Sequence, residues 1–335
     1  MTHPIRIGFL THVRGHNDPR QVYAETLELF DVAEQLGYDV GWVAQHHFKA
    51  GAGFLPSPFP FLAAVAERTQ NIRLGTSIIV LPLELPLRVA EDAAVVDLLS
   101  NGRLELGVGS GSDPDEFLAF DMDMTNRHSQ TTDGLIKLRR AIRGAPLGKE
   151  GLTLQPPAPT LLNRMWLSAL SIGGAEYAAQ HEMGLMLSRA AWGHDEPTDV
   201  VQLGVAKAFL DQWDKEDESP RIGLSRGVYV SQSKQHALNE IREPVMKAAN
   251  ARVKTGQLPS DLSLERYCEY FHIAYGSPEE VAKALSADKV LPYATDLILQ
   301  FDPVFPPQER VIQMMERIAA EVVPNLSLQN GYLAP

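Results

Sequence analysis

The sequence predicts an α/β fold, a (β/α)8 TIM barrel, and three observations carry that reading. Apolar strand-like runs alternate with helix-spaced segments along the chain, the pattern of parallel strands joined by crossover helices. The strand-like runs are near-continuous, as in Ile78-Ile79-Val80-Leu81, which burial on both faces requires. Eight such units within 335 residues suit a barrel, which takes about 250 residues and tolerates insertions, better than an open doubly wound sheet.

The elements follow in order. Residues 5–10 read as a short buried strand. Over 20–37, Val22, Leu27, Phe30, Val32, Ala33 and Leu36 recur at helical spacing and Gly37 supplies a C-terminal stop. Further strands are predicted at 40–44, 72–80, 104–108, 164–168, 184–188, 222–230 and 296–301. The helices between and after them fall at 59–69, 87–99, 133–143, 174–181, 198–213, 234–249, 279–285 and 307–322. The surplus over a minimal barrel lies in three insertions: 110–132 after the fourth strand, the Gly- and Pro-rich 145–163, and 255–268 within the seventh unit. Loops this long usually carry function or cover something. No composition shift marks a linker, so residues 1–335 are expected to form a single domain.

Composition excludes several classes. Hydrophobic residues at 44% and charged residues at 21% belong to an ordinary globular chain and not to a disordered one. The 30 basic and 42 acidic side chains leave a net charge of −12, which repels phosphate backbones and argues against nucleic acid as a partner. Cys268 is the one cysteine, so no internal disulfide forms, and no Cys/His spacing fits a metal site. With no export signal pattern and no run of eighteen apolar residues, the expectation is a cytoplasmic protein that does not enter membranes.

In a barrel, chemistry gathers where strands end. After the second strand stands Gln45-His46-His47-Phe48. Adjacent residues of an extended segment point oppositely, so one histidine alone can face the mouth. It acts there as an acid, base or hydrogen-bond donor, or the pair is one buried structural and one solvated imidazole; the residues alone leave these even. After the fourth strand, Gly107-Val-Gly-Ser-Gly111 lacks the dinucleotide spacing; it permits close approach to a flat ligand or simply fills a crowded strand end. Ser171, followed by Gly173 and Gly174 before a helix, makes an anion seat or an ordinary N-cap. Arg189 and Arg226 sit in apolar surroundings and reach a ligand anion or pair with a carboxylate in the wall. Phe54, Phe59, Phe117 and Trp192 are expected to wall a pocket, with 51–58 and 110–132 as lids.

These pieces, in this order, resemble the bacterial luciferase-like flavin monooxygenases. The likeness runs from Ala33-Glu-Gln-Leu-Gly-Tyr-Asp-Val-Gly-Trp-Val-Ala-Gln-His-His-Phe48 through Ile72-Arg-Leu-Gly-Thr-Ser-Ile-Ile-Val-Leu-Pro82 and Pro86-Leu-Arg-Val-Ala-Glu-Asp92. It continues in Ser100-Asn-Gly-Arg-Leu-Glu-Leu-Gly-Val-Gly-Ser-Gly111, Tyr275-Gly-Ser-Pro-Glu-Glu-Val-Ala and Leu297-Ile-Leu-Gln-Phe-Asp302. The resemblance implies reduced FMN (FMNH2), or in one branch the deazaflavin F420, bound at the barrel mouth. It matches His46 to the active-site histidine, Thr76 and Ser77 to a segment carrying a non-proline cis peptide beneath the flavin ring, and Ser171, Gly173 and Gly174 to the phosphate loop. Gly109 and Ser110 stand where the luciferases have cysteine and arginine, and Gln45 where they have an acid. A two-component FMN monooxygenase follows, taking FMNH2 from an NAD(P)H-dependent flavin reductase and using O2 on a small organic substrate. Arg189, Arg226 and Trp192 would meet that substrate. The alternatives are an F420-dependent oxidoreductase transferring hydride and a flavin-binding barrel subunit without turnover. A homodimer is expected, and no metal.

Overall fold

The computed structural model of the chain describes residues 5–15, 18–149, 151–194, 196–215 and 218–327. Its strands are β1 (Arg6–Thr11), β2 (Val40–Val43), β3 (Arg73–Thr76), β4 (Ile79–Val80), β5 (Leu104–Gly109), β6 (Met165–Ser168), β7 (Gly184–Leu187), β8 (Ile222–Val230), β9 (Ile273–Gly276) and β10 (Asp296–Gln300). All pair in parallel, and β1-β2-β3-β5-β6-β7-β8-β10 closes on itself as an eight-stranded barrel. Arg6 pairs with Asp296, and Asp296 in turn with Gly223, at the seam. The barrel expected from the sequence is the barrel observed.

The helices are α1 (Pro19–Gln35), α2 (Pro58–Arg68), α3 (Pro86–Leu99), α4 (Pro114–Ala119), α5 (Arg127–Ile142), α6 (Ile172–Gln180), α7 (Thr198–Gln212), α8 (Lys234–Lys254), α9 (Leu264–Tyr270), α10 (Pro278–Ser286) and α11 (Gln308–Arg317). Local chemistry starts several of them. Asp18 caps α1, Asp113 caps α4, and Ser277 with Glu280 forms a reciprocal capping box on α10.

The bore is filled in layers. Trp42 and Trp166 meet edge to face, with ring centroids 5.7 Å apart, in space that glycines vacate. A Cβ on Gly75 would lie 2.1 Å from Trp42, and one on Gly184 would lie 2.3 Å from Trp166. Leu10, Val40, Met186 and Ile298 complete this middle layer. Below it, Glu105 is ringed by Arg6 (2.9 Å), Arg73 (2.5 Å) and Arg221 (3.8 Å) and accepts from the Trp166 indole at 2.6 Å. Burial pushes the Glu105 carboxyl up, but the three guanidinium groups and the indole hold it below the usual glutamate range. This charged floor closes one end of the barrel, and chemistry is left to the other.

Three departures from the sequence reading matter for the site. The predicted strand 72–80 is broken by a cis peptide between Ser77 and Ile78, so β3 pairs with β2 while β4 pairs with the upper part of β5. The 110–132 connection is not a bare loop: it holds α4, and α5 begins at Arg127 instead of 133. The interruption of the seventh unit extends to an unforeseen strand, β9, which pairs with the upper half of β8 (Gly227–Val230) while β10 pairs with the lower half. In 145–163, where residue 150 lies outside the described residues, the expected irregular stretch ends in a 3-10 turn at Pro159–Arg164.

Candidate active site

Inward-facing positions along each strand set what the open end presents. On β1 they run through Gly8 and Leu10 to His12, on β2 through Trp42 and Ala44 to His46, and on β10 through Ile298 and Gln300 to Asp302, as two-residue periodicity dictates. His46 and His12 therefore converge. Their rings stack with centroids 5.0 Å apart, and His12 Nδ1 lies 2.7 Å from His46 Nε2. On its far side, His12 Nε2 lies 3.5 Å from Asp302 Oδ2, which Arg189 Nη2 approaches to 3.3 Å. Sequence reasoning nominated the two ends of this chain, His46 and Arg189, and missed its middle members, His12 and Asp302.

The charges fix the proton positions. Burial pushes the Asp302 carboxyl up, yet His12, Arg189 and Arg14 hold it well below the usual carboxylate range, so it is an anion. An anion draws the Nε2 hydrogen of His12 toward itself, which leaves Nδ1 of His12 as an acceptor for Nε2–H of His46. The free lone pair of the arrangement is then on His46 Nδ1. Burial and the neighbouring His12 ring lower the His46 pKa to about 4, so the imidazole is neutral. The adjacent His12 ring opposes a positive charge on His46, and replacing it lifts that opposition while burial remains. His12→Gln is expected to raise the His46 titration from about 4 toward the ordinary value of about 6.5. Side-chain NMR reads this directly, and an unchanged or lower midpoint would contradict the coupling.

His47, the second of the pair, turns away and is buried. Its backbone N–H donates to Glu116 at 2.8 Å and its ring meets Phe120 edge-on at 5.0 Å. Gln45, in place of an acid, is fully used inside the wall: its amide donates to Pro56 O and Glu84 and accepts from the Val80 N–H at 2.7 Å. The two expected lids are stitched to the rim. His46 N–H donates to Leu55 O, and Lys49 Nζ bridges to Asp113 at 2.7 Å and Asp115 at 2.6 Å.

The remaining nominated residues divide. Ser77 stands half-buried at the rim beside the cis peptide, its hydroxyl 3.1 Å from the Met186 sulfur. Thr76 is fully buried and exchanges hydrogen bonds with the Gly107 peptide, so its side chain ties β3 to β5. Gly109 lies against Ile78 and Ser168, and Ser110 accepts from Thr131 at 3.0 Å. Ser171 caps α6 by accepting from Gly174 N–H at 3.2 Å; Gly173 is exposed, and a Cβ there would meet nothing within 4 Å. The Ile172 and Gly173 N–H groups, at the start of α6, precede any intrahelical partner. Trp192 packs on Phe271 and beneath Arg252. Phe54 is half-buried, while Phe59 and Phe117 lie in the core.

Arg226 needs correction as a mouth residue. It is 1% exposed and points outward from β8, its Nε 2.6 Å from Asp288 and its Nη1 2.9 Å from Gln202 of α7. It borders a separate cavity of about 350 Å³ shared with His272. Alternation explains this: Gly223, beside Trp166 and Ile298, faces inward, so position 226 faces the helices. Among the described residues no cluster of acidic, histidine or cysteine side chains is arranged to hold a metal, and no helix is long and apolar enough to cross a membrane.

A family model described as luciferase-like monooxygenase matches residues 5–290. Among curated relatives, 4-hydroxyprotoasukamycin monooxygenase of Streptomyces nodosus subsp. asukaensis is 39% identical over 38% of this chain and 34% of its own length. The oxygenase component of the flavin-dependent trigonelline monooxygenase of Acinetobacter baylyi is 25% identical over 70% of this chain and 67% of its own. The match thus spans about a third of the first relative and two thirds of the second. Solved structures share the fold. A Streptomyces bottropensis monooxygenase superposes with TM-score 0.77 at 24% identity, covering 96% of this chain and 99% of its own. The oxygenating constituent of Pseudomonas putida 3,6-diketocamphane monooxygenase, in complex with FMN, gives 0.75 at 16%, covering 98% and 100%. The F420-dependent tetrahydromethanopterin reductase of Methanopyrus kandleri gives 0.70 at 14%, covering 97% and 100%.

Proposed function

The chain belongs to the luciferase-like monooxygenase family, and from that premise we propose that it is an FMN-dependent monooxygenase. It takes FMNH2 from a separate NAD(P)H-dependent flavin reductase and uses O2 to oxidise a small organic substrate, as the oxygenase-component relative's name suggests. The observation that carries this reading is the His46–His12–Asp302 chain, which leaves one bare imidazole nitrogen at the rim.

The residues present fit a flavin. The open first turn of α6 offers Ser171 and unpaired backbone N–H groups to a phosphate, and the glycine-lined end of β5 keeps side chains from a flat ring. When bound, the reduced flavin supplies the electrons with which dioxygen is activated; the chain orients it, excludes water and moves protons. His46 Nδ1 accepts a proton from the reacting groups, and the positive charge this creates is shared with His12 and stabilised by Asp302, in the manner of an orienting carboxylate. A cavity of about 450 Å³ between α1 and α11 borders His12 and Asp302 and gives the chain a route to solvent.

Titration of the purified protein with FMN and with F420 tests the cofactor, since a structural neighbour uses the latter. FMN is expected to bind and F420 not; the reverse would make the protein a hydride-transferring oxidoreductase. Ser171→Ala is expected to weaken FMN about tenfold, the scale of one hydrogen bond to a charged group, and to leave riboflavin affinity unchanged. Equal loss for both flavins would take the phosphate away from α6. A homodimer is supported by the exposed Leu85, Leu87, Val95, Leu98 and Leu99 on and beside α3, an apolar face of the kind that marks an interface. Cytoplasmic placement rests on the one cysteine, Cys268, which is free and buried.

A further inference from the structure

Three arginines gather around one carboxylate at the mouth, apart from the Lys49 pairs with Asp113 and Asp115 at the rim. Arg189, Arg252 and Arg14 all feel the same carboxylate, Asp302, and that carboxylate already serves His12. Arg252 lies flat on Trp192, its guanidinium carbon 3.8 Å from the ring centre, and donates to Gln257 at 2.8 Å. Arg14 lies on Phe305, also at 3.8 Å. Among the described residues neither makes an ion pair. Arg189 donates Nη1 to Phe271 O at 2.6 Å and keeps a buried Nε without a partner. Three guanidinium groups thus surround one committed anion, each held by an aromatic ring, in a chain whose net charge is −12.

From this we propose that the site takes an organic oxyanion as substrate, a carboxylate or sulfonate on an apolar or aromatic body, with Arg252 and Arg14 pairing to the anion and Trp192 and Phe305 flanking the body. The inference rests on the flavin-enzyme reading of the mouth. A cluster of guanidinium groups raises the concentration of anions beside it. Guanidinium groups already stacked on rings lose little freedom when they bind a planar oxyanion, and their forked donors match it. A flavin phosphate is the other oxyanion that could use them, but α6, with its open first turn, follows β6. That strand lies across the ring from β1, which leads to Arg14, and three strands from β10, which leads to Asp302. Arg226 and Arg189 were the two arginines the sequence nominated; the geometry keeps Arg189, discards Arg226 and adds two that no motif marked.

Benzoate, benzenesulfonate and benzamide serve as probes, titrated calorimetrically into the protein with and without FMN. The two anions are expected to bind at least tenfold more tightly than neutral benzamide. Arg252→Gln and Arg14→Gln are each expected to lose about ten- to a hundredfold in anion affinity, as for a hydrogen bond to a charged group, with Arg252→Lys recovering part of it. FMN and riboflavin affinities should stay at the wild-type level in all three variants. Equal binding of benzoate and benzamide, or a double glutamine variant that still binds benzoate normally, overturns the proposal. So does a loss of FMN affinity with riboflavin unaffected, which would assign the arginines to the cofactor's phosphate. Failure of the parent protein to bind any flavin sinks the monooxygenase reading instead, and the probe titrations on flavin-free protein still decide the anion seat.

Discussion

His46→Ala is expected to lower turnover by about two orders of magnitude or more at saturating reduced flavin, the scale of a lost general acid or base. His46 is the inward residue just past the end of β2, its Nε2 is committed to His12 at 2.7 Å, and its ring is neutral, so Nδ1 is a proton acceptor with a charged relay behind it. Alanine removes the acceptor and leaves water as its replacement. FMN affinity should change little, because the proposed phosphate seat at α6 is untouched, so the loss should fall on kcat. His47→Ala is the internal control: it takes away ring packing on Phe120 while the Glu116 contact, made through the backbone, survives, and should cost stability and not chemistry. Wild-type turnover in His46→Ala with substrate and reduced flavin saturating would remove the residue from the mechanism.

Glu105→Gln is expected to destabilise the protein by about 3–5 kcal/mol, the cost of stripping one partner from a buried ion group. The substitution is nearly isosteric, so cavity formation contributes little. What changes is charge: Arg6 would keep Asp296, while Arg73 and Arg221 would lose the carboxylate they share at the sealed end of the barrel. Because the folded carboxyl titrates below its unfolded value, its contribution is present above the ordinary glutamate range of about 4.3 and disappears as pH falls through the folded value. The gap between wild type and variant should therefore narrow on acidification. Urea unfolding at pH 7 and at pH 3 or below measures both, and a difference under about 1 kcal/mol at pH 7 would mean the arginines find other partners or water.

The barrel was legible because each strand is an apolar run bounded by turn residues and each helix repeats at its own period, signals contained within ten or twenty residues. The strand β9 was not. Ile273-Ala-Tyr-Gly276 is four residues long with two half-buried in its middle, too short and too mixed to stand out from the insertion around it. The site divides along the same line. His46 and Ser171 sit in local motifs, a histidine pair after a strand and a serine before a helix. His12 and Asp302 meet only because β1 closes against β10 across the seam, a contact between residues 290 positions apart. Counting inward positions past each strand end would have found both, and the same count on β8 would have turned Arg226 outward. Arg14 and Arg252 carried no signal, since an arginine acquires a ligand-binding role from the charges left unbalanced around it.

The forked pairing of β8 separates two parts of the mouth mechanically. Its lower half is a stave of the barrel, while its upper half carries β9, α8 and α9 as a graft that bears Arg252 and Phe271 against Trp192. His12 and His46 are thereby set by the barrel's own strands, while Arg252 and Phe271 are set by what packs on the upper half of β8. A change in β9, α8 or α9 is therefore expected to displace Arg252 and Phe271 while the strand ends that hold His12 and His46 keep their register.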